Sequence, residues 1–171
     1  THEHLLKEIG RIHTYLDFLD TFRFAREAGF ENINVDLMIG LPNQTLAEVQ
    51  DSIEEIVSME PEHISVYSLI LEEGTPLFKK VEEGLELPDE ELERKMYWTV
   101  KRILEANGYN HYEISNFAKQ GYESKHNLDC WNQKEYIGFG VAAHSYTNGI
   151  RYSNIENLEQ YIKNYEEDKT E

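Results

Sequence analysis

Residues 32–45 read NINVDLMIGLPNQT, and their pattern decides the fold class. Ile33, Val35, Leu37 and Ile39 alternate with Asn34, Asp36 and Met38, the period of two that marks a strand, and the Gly40-Leu41-Pro42-Asn43 turn stops it. Asp36 falls near the C-terminal end of this strand among aliphatic residues. Its carboxylate either reaches the mouth of the sheet, where barrels and open α/β sheets bind ligands, or serves as a turn or capping residue. A helix follows from Thr45, where TLAE reads as a capping box with Glu48 reaching back to the cap. The unit is strand, ligand-edge loop, helix.

Upstream, LLKEIGRIH is a short helical segment broken at Gly10, with Arg11 and His13 after the break. Thr14 caps a second helix running to about Ala28, with Tyr15, Phe18, Leu19, Phe22 and Ala25 on its apolar side, Arg23 and Arg26 on its solvent side, and Gly29 as the stop. Downstream, Leu46, Val49, Ile53, Ile56 and Val57 make an amphipathic helix ending before Pro61. Its acidic face, Glu48, Asp51, Glu54 and Glu55, reads as solvated surface. HISVYSLI, residues 63–70, alternates again, and its spacing from the first strand predicts a βαβ crossover in a parallel sheet. Thr75-Pro76 starts a short helix that stops at Gly84, and Pro88-Asp89 opens the longest helix, closed by Gly108. A strand over residues 110–115 follows. Beyond Ser115 the chain is rich in Asn, Gly, His and aromatic residues, with strand-like pieces at residues 136–139 and around an Asn148-Gly149 hairpin turn. A last helix spans Ile155 to about Glu166, and the charged terminus is expected to fray. The fold class is α/β, with a boundary near Gly84 between a regular βα portion, residues 1–84, and a looser α+β extension, residues 85–171.

Composition narrows the function. The 171 residues carry 33 acidic against 16 basic side chains, a formal charge of −17, which disfavours nucleic acid or an anionic membrane as partner because both are met by cationic patches. No apolar run approaches the roughly 20 residues that span a bilayer and no secretory signal is visible, so the expected localisation is cytoplasmic. The single cysteine, Cys130, excludes an internal disulfide framework and cannot alone hold a structural zinc or an iron-sulfur cluster.

Three groups of residues carry candidate chemistry. Arg11 and Asp36 lie on successive βα edges; a carboxylate accepts hydrogen bonds from ribose hydroxyls and a guanidinium binds a carboxylate bidentately, so together they suit an adenosyl amino acid. The competing reading is an ordinary surface ion pair. His126, Asn127 and Cys130 in HNLDCW, with His144 in GFGVAAHSY, offer heme ligands among aromatic residues, or else polar-loop hydrogen bonding. Gly138-Phe139-Gly140 lacks a dinucleotide fingerprint and reads as a tight backbone crossing. No catalytic Ser/His/Asp arrangement can be assigned.

IGRIH, NINVDLMIGLPNQT, ISVYSLILEEGTPL, YEISNFA, KHNLDCW and YIGFGVAAHSY, in that order, resemble the oxygen-independent coproporphyrinogen III oxidase-like family of radical S-adenosylmethionine proteins, and within it the heme-chaperone branch. The resemblance covers nearly the whole chain. It implies that the strands at residues 32–39 and 63–70 are late βα units of a radical-SAM partial TIM-like barrel, and that the remainder is the family's C-terminal extension. It implies S-adenosylmethionine contacts for Arg11, near the amino-acid part, and Asp36, near the ribose. HNLDCW resembles the branch's His-Asn-x-x-Tyr signature associated with heme handling, which implies a chaperone that passes heme to an acceptor protein. The family's alternative is oxidative decarboxylation of a porphyrinogen substrate. Two departures stand out. The family's C-x-x-x-C-x-x-C ligands of the 4Fe-4S cluster are absent, and Cys130 stands where the signature has tyrosine. The chain therefore looks like a C-terminal piece of a longer protein, expected to hold no cluster and cleave no S-adenosylmethionine by itself, and either to self-associate or to be marginally stable, because a missing half would cover its strand edges and an apolar face.

Overall fold

The opening stretch forms a strand, β1 (Asn34–Ile39), with alternate residues buried. In the computed structural model, which describes residues 1–167, the chain divides into two compact units between Glu123 and Ser124. The first holds α1 (Glu3–Glu8), α2 (Tyr15–Glu27), β1, α3 (Leu46–Ser58), β2 (His63–Ser68), α4 (Pro76–Glu82), α5 (Glu90–Ala106), β3 (Asn110–His111) and β4 (Asn116–Ala118). The second holds α6 (Lys125–Trp131), β5 (His144–Thr147), β6 (Ile150–Ser153) and α7 (Leu158–Glu167).

Local chemistry sets the boundaries. Thr45 and Glu48 form the expected capping box, and Thr14 forms a second one with Asp17. Thr75 with Pro76 starts α4 and Asp89 starts α5, each cap accepting a backbone N–H three residues on. α2 and α5 finish in the same six-residue closure, with Phe30 and Tyr109 N–H bonded to the carbonyls of Ala25 and Leu104.

β1 and β2 pair in parallel, with Asn34 opposite His63, Asp36 opposite Ser65 and Met38 opposite Tyr67. This is the arrangement that one intervening helix predicts. Strand order is β1-β2-β4-β3, so β1 lies at the sheet edge. Val35, Leu37, Ile39, Ile64, Val66 and Phe117 face a core completed by Val49, Ile53 and Ile56 of α3 and Met96, Val100 and Leu104 of α5. Phe18 and Phe22 of α2 pack against it, half-buried. Asn34, Asp36, His63 and Ser65 take the opposite face.

Several expectations are corrected. Residues 110–115 are not one strand: β3 and β4 form a hairpin whose second strand pairs antiparallel with β2, so the sheet is mixed. Residues 112–115, Tyr-Glu-Ile-Ser, hold no Gly or Pro to mark the turn that separates β3 from β4. Arg26 does not sit on the solvent side. Its guanidinium pairs with Glu62 at 2.8 Å and donates to the carbonyl of Phe30, while Glu62 also accepts the Ile33 N–H, which ties the end of α2 to the start of β1. HNLDCW is helix α6, not loop, capped by Ser124. Residues 136–139 form no strand; Tyr136 makes an isolated bridge to Tyr146. The hairpin turn falls at Asn148-Gly149 as expected. The last helix begins at Leu158, later than expected; Leu158 and Ile162 are exposed, and the expected fraying beyond Glu167 lies outside the described residues. Among the described residues no helix is long and apolar enough to cross a membrane.

Tyr109 connects the α5 exit to the sheet. It is buried in the core, and its hydroxyl donates to the Pro61 carbonyl at 2.6 Å. Burial, with the Glu62 and Glu60 carboxylates adding to it, pushes the phenol up from 10.0 to about 12. The raised value means that the neutral phenol's contribution is complete below pH ~10 and declines as pH climbs toward ~12. Tyr109→Phe should cost about 1 kcal/mol at neutral pH in urea titration, and its stability should fall less steeply than wild type across that alkaline window.

Candidate functional site

The site is built on the polar face of β1 and β2 in the first unit. Arg11 is placed by the end of α1. Gly10 takes a left-handed φ of 74°, which lets its N–H reach the Lys7 carbonyl and the Arg11 N–H reach the Leu6 carbonyl. The chain leaves the helix there, and Arg11 and His13 line the wall of a cavity of about 370 Å³. Asp36, Met38 and Tyr67 line it from the sheet, Leu5, Leu6 and Ile9 from α1, Tyr15 and Phe18 from α2, and Leu41 and Gln44 from the turn after β1. A volume of that order suits a small ligand, and the lining mixes apolar side chains with polar ones, Thr1, His2 and Ser52 joining Arg11, His13, Asp36 and Gln44.

Arg11 and Asp36 share this cavity, yet they do not form the ion pair that the sequence left open. Arg11 makes no ion pair or side-chain hydrogen bond among the described residues. Asp36 is exposed, with its Oδ1 accepting from Asn34 Nδ2 at 2.6 Å. The guanidinium and the second carboxylate oxygen therefore retain capacity for a ligand's acceptors and donors. Asp36 does not sit at the strand mouth. It projects from the middle of the sheet face, as its place in the alternation requires.

Sequence reading missed the polar groups behind Asp36. Asn34 Oδ1 lies 2.6 Å from His63 Nδ1 and 3.1 Å from Ser65 Oγ, and His63 Nε2 lies 2.7 Å from the Tyr112 hydroxyl. Burial lowers the His63 pKa from its usual value, against the opposing pull of the Asp36, Glu113 and Glu123 carboxylates. The signal was present in the alternation itself: His63, Ser65 and Tyr67 are the residues of HISVYS that share a face with Asn34 and Asp36.

In the second unit, His126 and Cys130 stand one helical turn apart on α6, exposed, with Sγ 3.8 Å from Nε2. Asn127 is turned away and half-buried, its backbone N–H held by the Ser124 cap. His144 lies on β5, where its carbonyl crowds Gly138: a Cβ there would collide with that oxygen. Asn154 Nδ2 donates to the Gly140 carbonyl at 2.7 Å and Gly138 N–H to Ser145 Oγ at 3.0 Å. The Gly-Phe-Gly segment is a tight crossing. Among the described residues no three His, Cys, Asp or Glu side chains are arranged to hold a metal ion, and a 4Fe-4S cluster, which needs several thiolates, does not fit a chain with one cysteine.

No protein-family profile matches the chain. Curated relatives do. A protein of Bacillus subtilis named heme chaperone HemW is 49% identical over 159 residues, 92% of this chain and 42% of that protein. Its namesake in Lactococcus lactis is 44% identical over 160 residues, 93% of this chain and 42% of that protein. The solved radical SAM coproporphyrinogen III oxidase HemN of Escherichia coli shares the fold, with a TM-score of 0.75 at 19% identity over 97% of this chain and 41% of the solved one. The chain thus spans about two fifths of the length of the proteins it matches. On these likenesses the chain belongs to the oxygen-independent coproporphyrinogen III oxidase-like family of radical S-adenosylmethionine proteins.

Proposed function

We propose that this chain is the part of a heme chaperone that holds the nucleoside and amino-acid groups of S-adenosylmethionine and handles heme, which the whole protein binds and transfers to acceptor proteins. Residues 1–84 form the barrel portion in this reading and residues 85–171 the extension. The observation that carries the adenosyl site is the placing of an uncommitted guanidinium and a half-committed carboxylate on one small cavity. Asp36 accepts the ribose hydroxyls; Arg11 grips the ligand's carboxylate. The cluster that would supply the electron for reductive cleavage does not fit this chain's single cysteine.

For heme, α6 offers His126 and Cys130, with Asn127 as the third residue of the signature. Both ligating atoms lie on one helical face 3.8 Å apart, whereas the two axial ligands of a heme approach from opposite sides of the ring. One of the pair ligates the iron at a time. A single protein ligand leaves the other face of the ring open to an acceptor, which favours transfer over permanent retention and supports the chaperone over the oxidase.

Three outcomes follow from this reading. In a complete family protein carrying this segment, Asp36→Ala and Arg11→Ala should each weaken S-adenosylmethionine binding about tenfold or more by isothermal titration, since each loses hydrogen bonds to a charged group; unchanged affinity in both would overturn the adenosyl site. Titrating heme should give a Soret shift that His126→Ala weakens about tenfold, and porphyrinogen turnover without any heme binding would favour the oxidase instead. The isolated chain leaves the edge of β1 unpaired and Ile12, Leu16, Phe24 and Phe30 exposed, so light scattering should find it self-associated. A monodisperse monomer would exclude that.

A further inference from the structure

The amide of Asn34 has only one orientation that satisfies its neighbours. Its Nδ2 faces Asp36 Oδ1 at 2.6 Å, and a carboxylate cannot donate, so the NH2 group must lie on that side. The amide oxygen then accepts from two donors, His63 Nδ1–H at 2.6 Å and Ser65 Oγ–H at 3.1 Å. With the proton on Nδ1, the neutral imidazole presents a lone pair on Nε2, and the Tyr112 hydroxyl at 2.7 Å supplies the matching donor. Every hydrogen bond in the series runs the same way, from Tyr112 through His63 and Asn34 to the carboxylate. A series aligned in this sense polarises each member and strengthens the last bond.

The register explains why these groups meet. Asn34 is paired with His63, and Asp36 with Ser65, across the parallel β1–β2 ladder, so all four side chains emerge on one face. Behind the amide, His63 and Ser65 are buried, while Asn34 and Asp36 stand exposed, Asp36 over the cavity. An exposed aspartate turns freely about its side-chain bonds; one charge-assisted bond on Oδ1 from a fixed amide stops that rotation. Oδ2 and the second lone pair of Oδ1 are left to accept two hydroxyls.

We propose that Asn34, itself aligned by His63 and Ser65, is a positioning residue that holds Asp36 in the orientation which accepts the cis-diol of a ribose, so that selection for a ribonucleoside over its deoxy counterpart depends on residues that never touch the ligand. This rests on the adenosyl site proposed above. It differs in what it requires: Asp36 must be necessary for reading the hydroxyls, and Asn34 must be necessary for Asp36.

The test pairs ligand and protein changes in a complete family protein carrying this segment. 5′-Methylthioadenosine and its 2′,3′-dideoxy analogue are titrated calorimetrically into wild type, Asp36→Ala, Asn34→Ala, His63→Leu and His63→Gln. Removing the hydroxyls should weaken binding to wild type about tenfold and leave Asp36→Ala indifferent to the change. Asn34→Ala and His63→Leu should discriminate less than about threefold between the two ligands, while His63→Gln, whose amide N–H replaces the imidazole donor, should recover most of the wild-type ratio. A purely structural role for His63 predicts the opposite order, because Leu suits a buried site better than Gln. Discrimination retained in Asn34→Ala but lost in Asp36→Ala overturns the positioning role and leaves the adenosyl site standing. Discrimination retained in Asp36→Ala overturns both. Melting temperature measured on each variant identifies one that fails to fold, and the two His63 variants then decide the matter without Asn34→Ala.

Discussion

The register between β1 and β2 is the constraint on which the rest of the first unit depends. Side chains alternate with period two, so a slip of one residue would send Val35, Leu37 and Ile39 to the cavity side and Asp36 into the core. The penalty for burying that carboxylate unpaired is far larger than the cost of any single misplaced aliphatic residue. Hydrophobic burial against α3 and α5 therefore fixes the position of the polar groups as firmly as it fixes the core. The site's geometry follows from packing on the opposite face of the same sheet.

The termini of neighbouring elements are held to that sheet by polar contacts. Glu62, at the start of β2, receives the Arg26 guanidinium from the end of α2 and the Ile33 N–H from the start of β1. Arg26 also lies over the Phe22 ring, its guanidinium carbon 5.1 Å from the centroid. These contacts anchor the C-terminal end of α2, while the capping box of Thr14 and Asp17 fixes the other end beside Arg11 and His13. Asp17 is held below its usual range by the Thr14 backbone and side-chain hydrogen bonds, the signature of a carboxylate committed to its cap and unavailable to Arg11. In a chain with twice as many acidic as basic side chains, keeping Arg11 uncommitted requires that nearby carboxylates be engaged elsewhere.

Features set by neighbours in sequence were legible in advance. The boundaries of α2, α4 and α5 come from caps and glycine stops, those of α3 from its cap and Pro61, the two long strands from alternation, and the βαβ pairing from their spacing. Arg11 and Asp36 share one cavity, although Asp36 projects from mid-strand and not from the strand end where its position in the sequence suggested it. The β3–β4 hairpin was not legible, since its strands are two and three residues long and owe their existence to pairing with β2. The helical state of HNLDCW was hidden for a related reason: its seven residues are too few to display a 3.6-residue period, and the Ser124 cap is the only local cue.

The connection from His63 to Asp36 was the least accessible part, because it exists only once two strands separated by a helix are aligned. Within β2, a histidine alternating with isoleucine and valine reads as one more polar residue on an outward face. Aligned with β1, the same imidazole becomes the donor to the Asn34 oxygen, because the carboxylate of Asp36 holds the amide's NH2 group on its own side. Burial contributes to that outcome by disfavouring the charged ring. A neutral imidazole has one donor and one acceptor, and the positions of Asn34 and Tyr112 use both. The sheet's alignment thus converts ordinary polar side chains into an ordered sequence of donors, and it does so by the same pairing that closes the hydrophobic core.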